Sequence, residues 1–406
     1  MIKKHYDIII VGGGPSGSAA SIFLKKHNPS VNICIIDKAT FPRKKSCGDG
    51  LSPGVADIIK EAGMNMFFAE KTPISIFQLV CPGVIDLKYD MKNMGSISNA
   101  GYVFPREFFD DQLIKHAATV GVDIFENHEI INITEAGTFS TDISCTHAGN
   151  TIVFNSKLVI GADGVHSQVR KYLHVAPNSN KHMGIALRYY CTIKQPAEPY
   201  LRIDILKSLK NSYGWVFPVS ATTANIGIGV DMDVHKKKNI NLNTELDKYL
   251  LFLREDFQPE IIGGTRSGYP LPYGSELPKL VYNNKVLIGD AASMINPLTG
   301  EGIYYGMQAG KMLAEHIAVN FNATDTLQQS LAAFEEAFTG NYKNHYQFNL
   351  TIKKVLASPF AGFFLKRMAK DQQRLNKVMG IILGNTSKID LKDFSLKNFY
   401  RIKSYI

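Results

Sequence analysis

Residues 6–37 limit what this chain can fold into more than any other stretch. Tyr6–Val11 is an apolar run of the kind that forms a buried parallel strand. It leads into Gly12-Gly13-Gly14-Pro15-Ser16-Gly17. Gly12 permits a tight turn, Gly14 a close backbone approach to a pyrophosphate, and Gly17 close packing of the next helix. That helix is expected over Pro15–Leu24, its N-terminus aimed at phosphate oxygens. A second apolar run, Val31–Ile36, ends in Asp37, twenty positions after Gly17. A carboxylate there accepts ribose hydroxyls and repels a 2′-phosphate. Glycine clusters also build ordinary turns, but strand, helix, strand and terminal acid together point to a bound dinucleotide.

Two further motifs decide which dinucleotide. Gly161-Ala162-Asp163-Gly164 follows the apolar run Leu158–Ile160, which places Asp163 at a strand end, with Arg170 expected to pair with it. Gly289-Asp290 follows Lys285–Ile288, and the segment from Pro297 through Gly300 and Gly302 turns into a helix near Ile303. An Asp at the carboxyl end of a strand in an open α/β sheet sits where ligands bind, and Asp290 suits a ribityl hydroxyl. Backbone N–H groups at a helix start stabilise the negative charge of a reduced flavin. The three motifs together call for FAD. Arg106 opens a stretch, Arg106–Leu113, that reads as a helix over the nucleotide; it suits a pyrophosphate or ribityl contact, or a surface salt bridge.

The chain has 406 residues, enough for two or three domains, and its 45% hydrophobic and 20% charged content is that of an ordinary globular protein. Five dispersed cysteines without metal-ligand spacing fit a reducing compartment and suggest no metal site. The early first strand argues against a signal peptide, and no run of eighteen apolar residues is present to span a bilayer. The expected location is the cytoplasm. The net charge of +9 is unevenly placed: residues 341–406 hold thirteen Lys/Arg against three acids, leaving −1 for the rest. In that tail Phe360, Phe363, Phe364 and Leu365 interleave with Lys366, Arg367, Lys370, Arg374 and Lys377. Such a pattern suits a helix lying on anionic lipid at the inner membrane face, or a helical cap with a solvated basic side. No recognised nucleic-acid module accompanies the charge.

The expected fold is α/β. A Rossmann-like FAD-binding domain is assembled from 1–75, 101–175 and 281–320. A substrate domain of antiparallel sheet takes 76–100 and 176–280, and a basic helical C-terminal region takes 321–406. Strands are expected at Gly184–Ile193, Tyr200–Leu206, Gly214–Val219 and Asn225–Val230, one more within 76–90, and a helix over Leu327–Lys354.

The combined motifs resemble the p-hydroxybenzoate-hydroxylase-type FAD superfamily. The stretch Asp37-Lys38-Ala39-Thr40-Phe41-Pro42-Arg43-Lys44-Lys45-Ser46-Cys47-Gly48-Asp49-Gly50-Leu51-Ser52-Pro53 resembles the geranylgeranyl reductase family, whose members saturate isoprenoid double bonds. Tyr213-Gly214-Trp215-Val216-Phe217-Pro218 resembles that family's YxWxFP motif. The likeness covers roughly residues 5–320. It implies that Gly12, Gly14, Pro15, Ser16, Gly17, Asp37, Lys38, Arg43, Arg106, Asp163, Gly289 and Asp290 hold FAD. It further implies that Cys47, Gly48, Asp49 and Gly50, with Pro297, Gly300, Gly302 and Ile303, flank the isoalloxazine ring. Cys47, Tyr213 and Trp215 become candidate catalytic residues, and Tyr213, Trp215 and Phe217 a wall for a prenylated substrate. Cys47 is equally read as a buried small hydrophobe, and the three aromatics as ordinary core. The implied reaction is hydride transfer from reduced flavin to an isoprenoid alkene. No second GxGxxG marks a nicotinamide domain, so the external donor is NAD(P)H bound transiently, or a partner reductase. FAD-dependent monooxygenases and halogenases share the FAD motifs. Halogenases carry WxWxIP, from which Tyr213 and Phe217 depart.

Overall fold

The computed structural model describes residues 3–94, 100–194, 199–206, 209, 212–317, 324–359 and 361–382. It is a mixed α/β structure built on two eight-stranded sheets. The first sheet runs Val281–Tyr282, Lys285–Leu287, Asn150–Gly161, Lys3–Val11, Ile33–Ile36, Asp123–Phe125, with the hairpin Glu129–Gly137/Ser140–His147 attached to Asn150–Gly161. Its centre is parallel, and Ile8, Ile9 and Ile10 are wholly buried there, as β-branched residues of a central strand covered on both faces should be.

Register brings the three motifs together. Val11 stands beside both Ile36 and Gly161, and Gly161 stands beside Leu287. The strands therefore end level, and Gly12, Asp37, Asp163 and Asp290 emerge along one carboxyl edge. Single backbone bonds continue the ladder past that edge: Gly12 N–H donates to Ile36 O at 2.8 Å, and Ala162 N–H to Val11 O at 2.8 Å. The Pro15–His27 and Ile303–Ile317 helices pack against each other on one face.

The second sheet runs Glu260–Ile261, Met183–Thr192, Thr223–Asp231, Ser212–Pro218, Tyr200–Ile205, Ile76–Cys81, Ile85–Asp90; Ser267–Pro272 also pairs with Met183–Thr192. It is antiparallel except for one pair, Tyr200–Ile205 with Ile76–Cys81. Residues 76–90 thus supply two strands rather than the one expected. The Glu129–His147 hairpin was not anticipated: its first strand exposes most of its residues, so no apolar face announces it.

The Thr324–Leu356 helix spans 33 residues and packs along the Ile303–Ile317 helix through Phe338, Tyr342 and Tyr346. Near its end the buried Lys353 ammonium pairs with Asp231 and donates to the Tyr273 hydroxyl at 3.1 Å, which ties the helix to the second sheet. Two short helices follow, Ala361–Ala369 and Gln372–Ile382, and Leu365, Leu375 and Met379 join the core of the second sheet. Phe360, residues 383–406 and the Arg374 and Lys377 side chains lie outside the described residues. No described helix is long and apolar enough to cross a membrane.

Candidate active site

Between the carboxyl edge of the first sheet and the face of the second lies a cavity of about 1070 Å³. This is at the top of the roughly 300–1,000 Å³ usual for small-molecule sites. One end is polar and is lined by Gly12, Gly14, Asp37, Arg43, Asp163 and Asp290. The other is apolar and is lined by Phe77, Leu79, Leu201, Ile203, Leu356 and Met379.

The polar end has the form of a dinucleotide cradle. Gly12 has φ +102°, and a Cβ there would lie 2.5 Å from the Ala162 carbonyl oxygen, so only glycine allows the first and second motifs to meet. A Cβ at Gly17 would run into the Gly12 carbonyl. At Gly14 a Cβ meets nothing nearer than the Arg43 guanidinium at 3.3 Å, on the cavity side. The Asp37 carboxylate accepts the Gly13 N–H at 2.7 Å and the Ala39 N–H at 2.9 Å. These bonds orient it, and its remaining lone pairs serve a ribose. Pro15 and Ser16 line the start of the first helix, and Lys38 lies beside Asp37. The residues present fit FAD.

Not every expected contact is at the wall. Gly17, Gly289 and Pro297 lie behind it and shape the turns, while Asp290, Gly300, Gly302 and Ile303 line it. The Arg106 guanidinium lines the cavity with part of its donors already engaged. Its Nε and Nη2 bind both oxygens of Asp110, at 2.6 and 2.8 Å, and it also hydrogen-bonds the Cys47 thiol. Asp110 is fully buried and also pairs with Arg43 at 3.2 Å. The pairing of Arg170 with Asp163 is corrected. Asp163 accepts the Ser167 hydroxyl and the Gln168 and Val169 N–H groups, capping the short Gln168–Tyr172 helix. Arg170 instead reaches the third motif, donating to Ala291 O at 3.3 Å and to the Ser293 hydroxyl at 2.8 Å. It clamps two cofactor motifs together.

The Cys47 loop is built around Asp49, which is fully buried with φ +65°. Its carboxylate is engaged by the protein itself. It accepts the Tyr190 hydroxyl at 2.5 Å, the Asn225 side-chain N–H at 2.8 Å and the Arg106 backbone N–H at 3.4 Å. Asn225 also donates to the Cys47 carbonyl at 2.8 Å and accepts the Trp215 indole N–H at 3.0 Å. One buried amide therefore joins the loop to the aromatic strand. Sequence reasoning missed it, although a lone Asn at the head of an apolar alternating strand was its visible sign.

Tyr213, Trp215 and Phe217 all line the cavity, and Phe217 packs on Gly50, where a Cβ would lie 2.9 Å from its ring. Gly48 packs against both Trp215 and Phe217. The Tyr213 hydroxyl donates to the Thr299 carbonyl at 3.0 Å, and burial pushes its phenol above the ordinary range. Both aromatic donors are thus engaged within the protein. Cys47 lines the cavity half-buried; burial pushes its thiol up, and the Arg106 guanidinium opposes that shift. Lys45, also at the wall, lies 3.1 Å from the Tyr269 ring centroid, and burial lowers its ammonium to about 8.

A parallel sheet edge carrying this cradle, facing a second sheet across a cavity, defines a flavin-binding oxidoreductase. The chain belongs to the FAD-binding domain family, whose model matches residues 5–331. Among characterised relatives, it is 27% identical over 364 residues to the menaquinone reductase of Mycolicibacterium smegmatis, covering 88% of this chain and 85% of that one. It is 27% identical over 417 residues to the digeranylgeranylglycerophospholipid reductase of Methanospirillum hungatei, covering 98% and 94%. Among solved structures, a geranylgeranyl bacteriochlorophyll reductase-like protein from Thermoplasma acidophilum superposes with a TM-score of 0.81 at 22% identity, covering 98% and 99%. The flavin-dependent halogenase CmlS shares the fold at a TM-score of 0.73 and 18% identity, covering 93% and 70%.

Proposed function

We propose that this protein reduces carbon–carbon double bonds of an isoprenoid chain. The observation that carries the reading is the cavity itself, which continues from the FAD cradle into an apolar chamber walled by the second sheet and the C-terminal helices. The reductase relatives support it, and so does the Cys47 loop. FAD, once reduced, supplies hydride to one alkene carbon. The chain's own residues do the rest. Tyr213, Trp215 and Phe217 hold the alkene against the ring. The Asn225–Asp49 pair keeps the Cys47 loop in place. The apolar chamber excludes water, which an unactivated alkene requires, since positioning must supply much of the effect. The electrons that reload FAD come from NAD(P)H or a partner reductase.

The test is an anaerobic single turnover. FAD is reduced with dithionite, excess reductant is removed, and geranylgeranyl diphosphate or a menaquinol, whose ring cannot itself oxidise the flavin, is added. Flavin reoxidation without oxygen, with product two mass units heavier per bond reduced, is expected. Reoxidation only in air, with hydroxylated or halogenated product, would instead place the protein with monooxygenases or halogenases.

The C-terminal helices add a membrane-facing role. Ala361 and Gly362 line the chamber, whereas Phe363 is 58% exposed and Lys366, Arg367 and Lys370 lie in or near solvent. An exposed aromatic among cations suits the surface of an anionic bilayer. Truncation before residue 361 is expected to lower partitioning onto phosphatidylglycerol vesicles at least about tenfold, at roughly 1 kcal/mol per cation removed. Unchanged partitioning of a folded truncation would leave these helices a packing role only.

A further inference from the structure

Glu301 stands where the FAD cradle meets the apolar chamber. Its backbone is pinned on both sides: its N–H donates to the Thr299 hydroxyl at 3.2 Å, and its carbonyl accepts the Asn296 N–H at 2.9 Å. Its side chain lies beside Ser52, whose buried hydroxyl has no partner in hydrogen-bonding geometry among the described residues, and both residues line the cavity. Ser52 precedes the Pro53–Glu61 helix, yet its hydroxyl makes no capping bond to it. Other titratable groups around Glu301 are Tyr304 and Tyr305 on the Ile303–Ile317 helix that follows it, Tyr346 from the Thr324–Leu356 helix, and Asp290 across Gly302. Among the described residues no cation pairs with it.

Three of the other carboxylates at the cavity differ. Asp37, Asp49 and Asp163 each accept two or more donors from the protein, which hold the charged form in place. Tyr213 and Trp215 have their protons engaged. Glu301 is thus a carboxyl at the junction, with a single hydroxyl neighbour and no compensating charge.

We propose that Glu301 is the acid of the reduction, delivering its proton to the alkene carbon that does not receive hydride. The inference rests on the alkene-reductase reading. The step balances: hydride from reduced flavin forms one C–H bond, the Glu301 proton forms the other, and the C=C π bond is consumed. Flavin leaves oxidised and Glu301 leaves as carboxylate, to be reprotonated from solvent. Burial raises its carboxyl to about 7, so a substantial fraction carries the proton at neutral pH. General acids contribute about 10²–10⁴-fold.

The experiment compares FAD-loaded wild type, Glu301→Gln, Glu301→Asp and Cys47→Ser in the anaerobic turnover with geranylgeranyl diphosphate and menaquinol. Glu301→Gln is expected to retain FAD and to reoxidise it at least about 100-fold more slowly, with Glu301→Asp partly restored. A second readout needs no turnover. Infrared difference spectra of the oxidised protein should show a protonated carboxyl that titrates near pH 7 and is missing in Glu301→Gln. Folding raises this group above its unfolded value of about 4.3. Its stabilisation is therefore complete below that pH and is lost as pH rises through about 7, and Glu301→Gln should remove that decline. Wild-type rates in Glu301→Gln, or loss confined to Cys47→Ser, would overturn the proposal while leaving the reductase reading intact. A wild type inactive on every prenyl substrate would overturn both.

Discussion

Gly14→Val is expected to fold and to be purified without its yellow cofactor. At Gly14 the space is open on the protein side: an added Cβ meets only the end of the Arg43 side chain, at 3.3 Å, which has room to move. On the other side lies the line along which the pyrophosphate approaches the first turn. Valine places two methyl groups there and pushes the phosphates off the helix N–H groups. Overpacking alone costs about 1–3 kcal/mol. With the lost N–H contacts, the expected fall in FAD affinity is about 100-fold or more, equivalent to about 2.8 kcal/mol. Gly17→Val is the contrasting variant: its side chain would enter the Gly12 carbonyl and should cost the fold itself. FAD stoichiometry by absorbance, together with thermal melting, separates the two. Normal FAD content in Gly14→Val would sink the cradle as described.

Asp49→Ala is expected to destabilise the protein by about 3 kcal/mol. The substitution leaves the Tyr190 hydroxyl, the Asn225 amide and the Arg106 backbone N–H without their acceptor in a fully buried place. It also puts alanine at φ +65°, where Asp and Asn are better tolerated. Asp49→Asn keeps the backbone preference and one acceptor oxygen, and should lose only about 1 kcal/mol. Because Asn225 also holds the Cys47 carbonyl and Trp215, Asp49→Ala should loosen the loop and the aromatic wall together. Urea unfolding measures the first effect, and tryptophan fluorescence reports the second, since Trp215 is the chain's one Trp. Equal stability of Asp49→Ala and wild type would mean that the loop is held elsewhere.

The sequence made the cofactor edge legible because each motif there has a local cause. Gly12, Gly17 and Asp37 do their work within one strand–helix–strand unit, and spacing alone reveals it. The family membership and the α/β fold follow from the same residues. What could not be read was pairing between distant residues. Arg170 lies seven positions from Asp163, so proximity suggested a pair, whereas its partners Ala291 and Ser293 are over a hundred residues away. Arg106 and Asp110 are one helical turn apart, and their buried pairing was not anticipated. Asp49 sits in a glycine-rich loop that resembles a ligand-facing segment, yet its carboxylate turns inward to Tyr190 and Asn225. Glu301 lay inside a motif already assigned to turn geometry, and its side chain drew no separate notice.

The order of the first sheet bears on how the protein is made. Its central strand, Lys3–Val11, is synthesised well before Lys285–Leu287, which closes the sheet on the far side of Asn150–Gly161. At about 5–20 residues per second, the delay is on the order of tens of seconds. Within it, from the synthesis of Gly161 until Lys285–Leu287 emerges, the outer edge of Val159–Gly161 stays unpaired, a template for wrong partners. The cofactor cannot close that interval early, because Asp290 and the Ile303–Ile317 helix arrive with the missing strand. Nascent chains halted before residue 285 should therefore be protease-sensitive and depend on holding chaperones, whatever the supply of FAD.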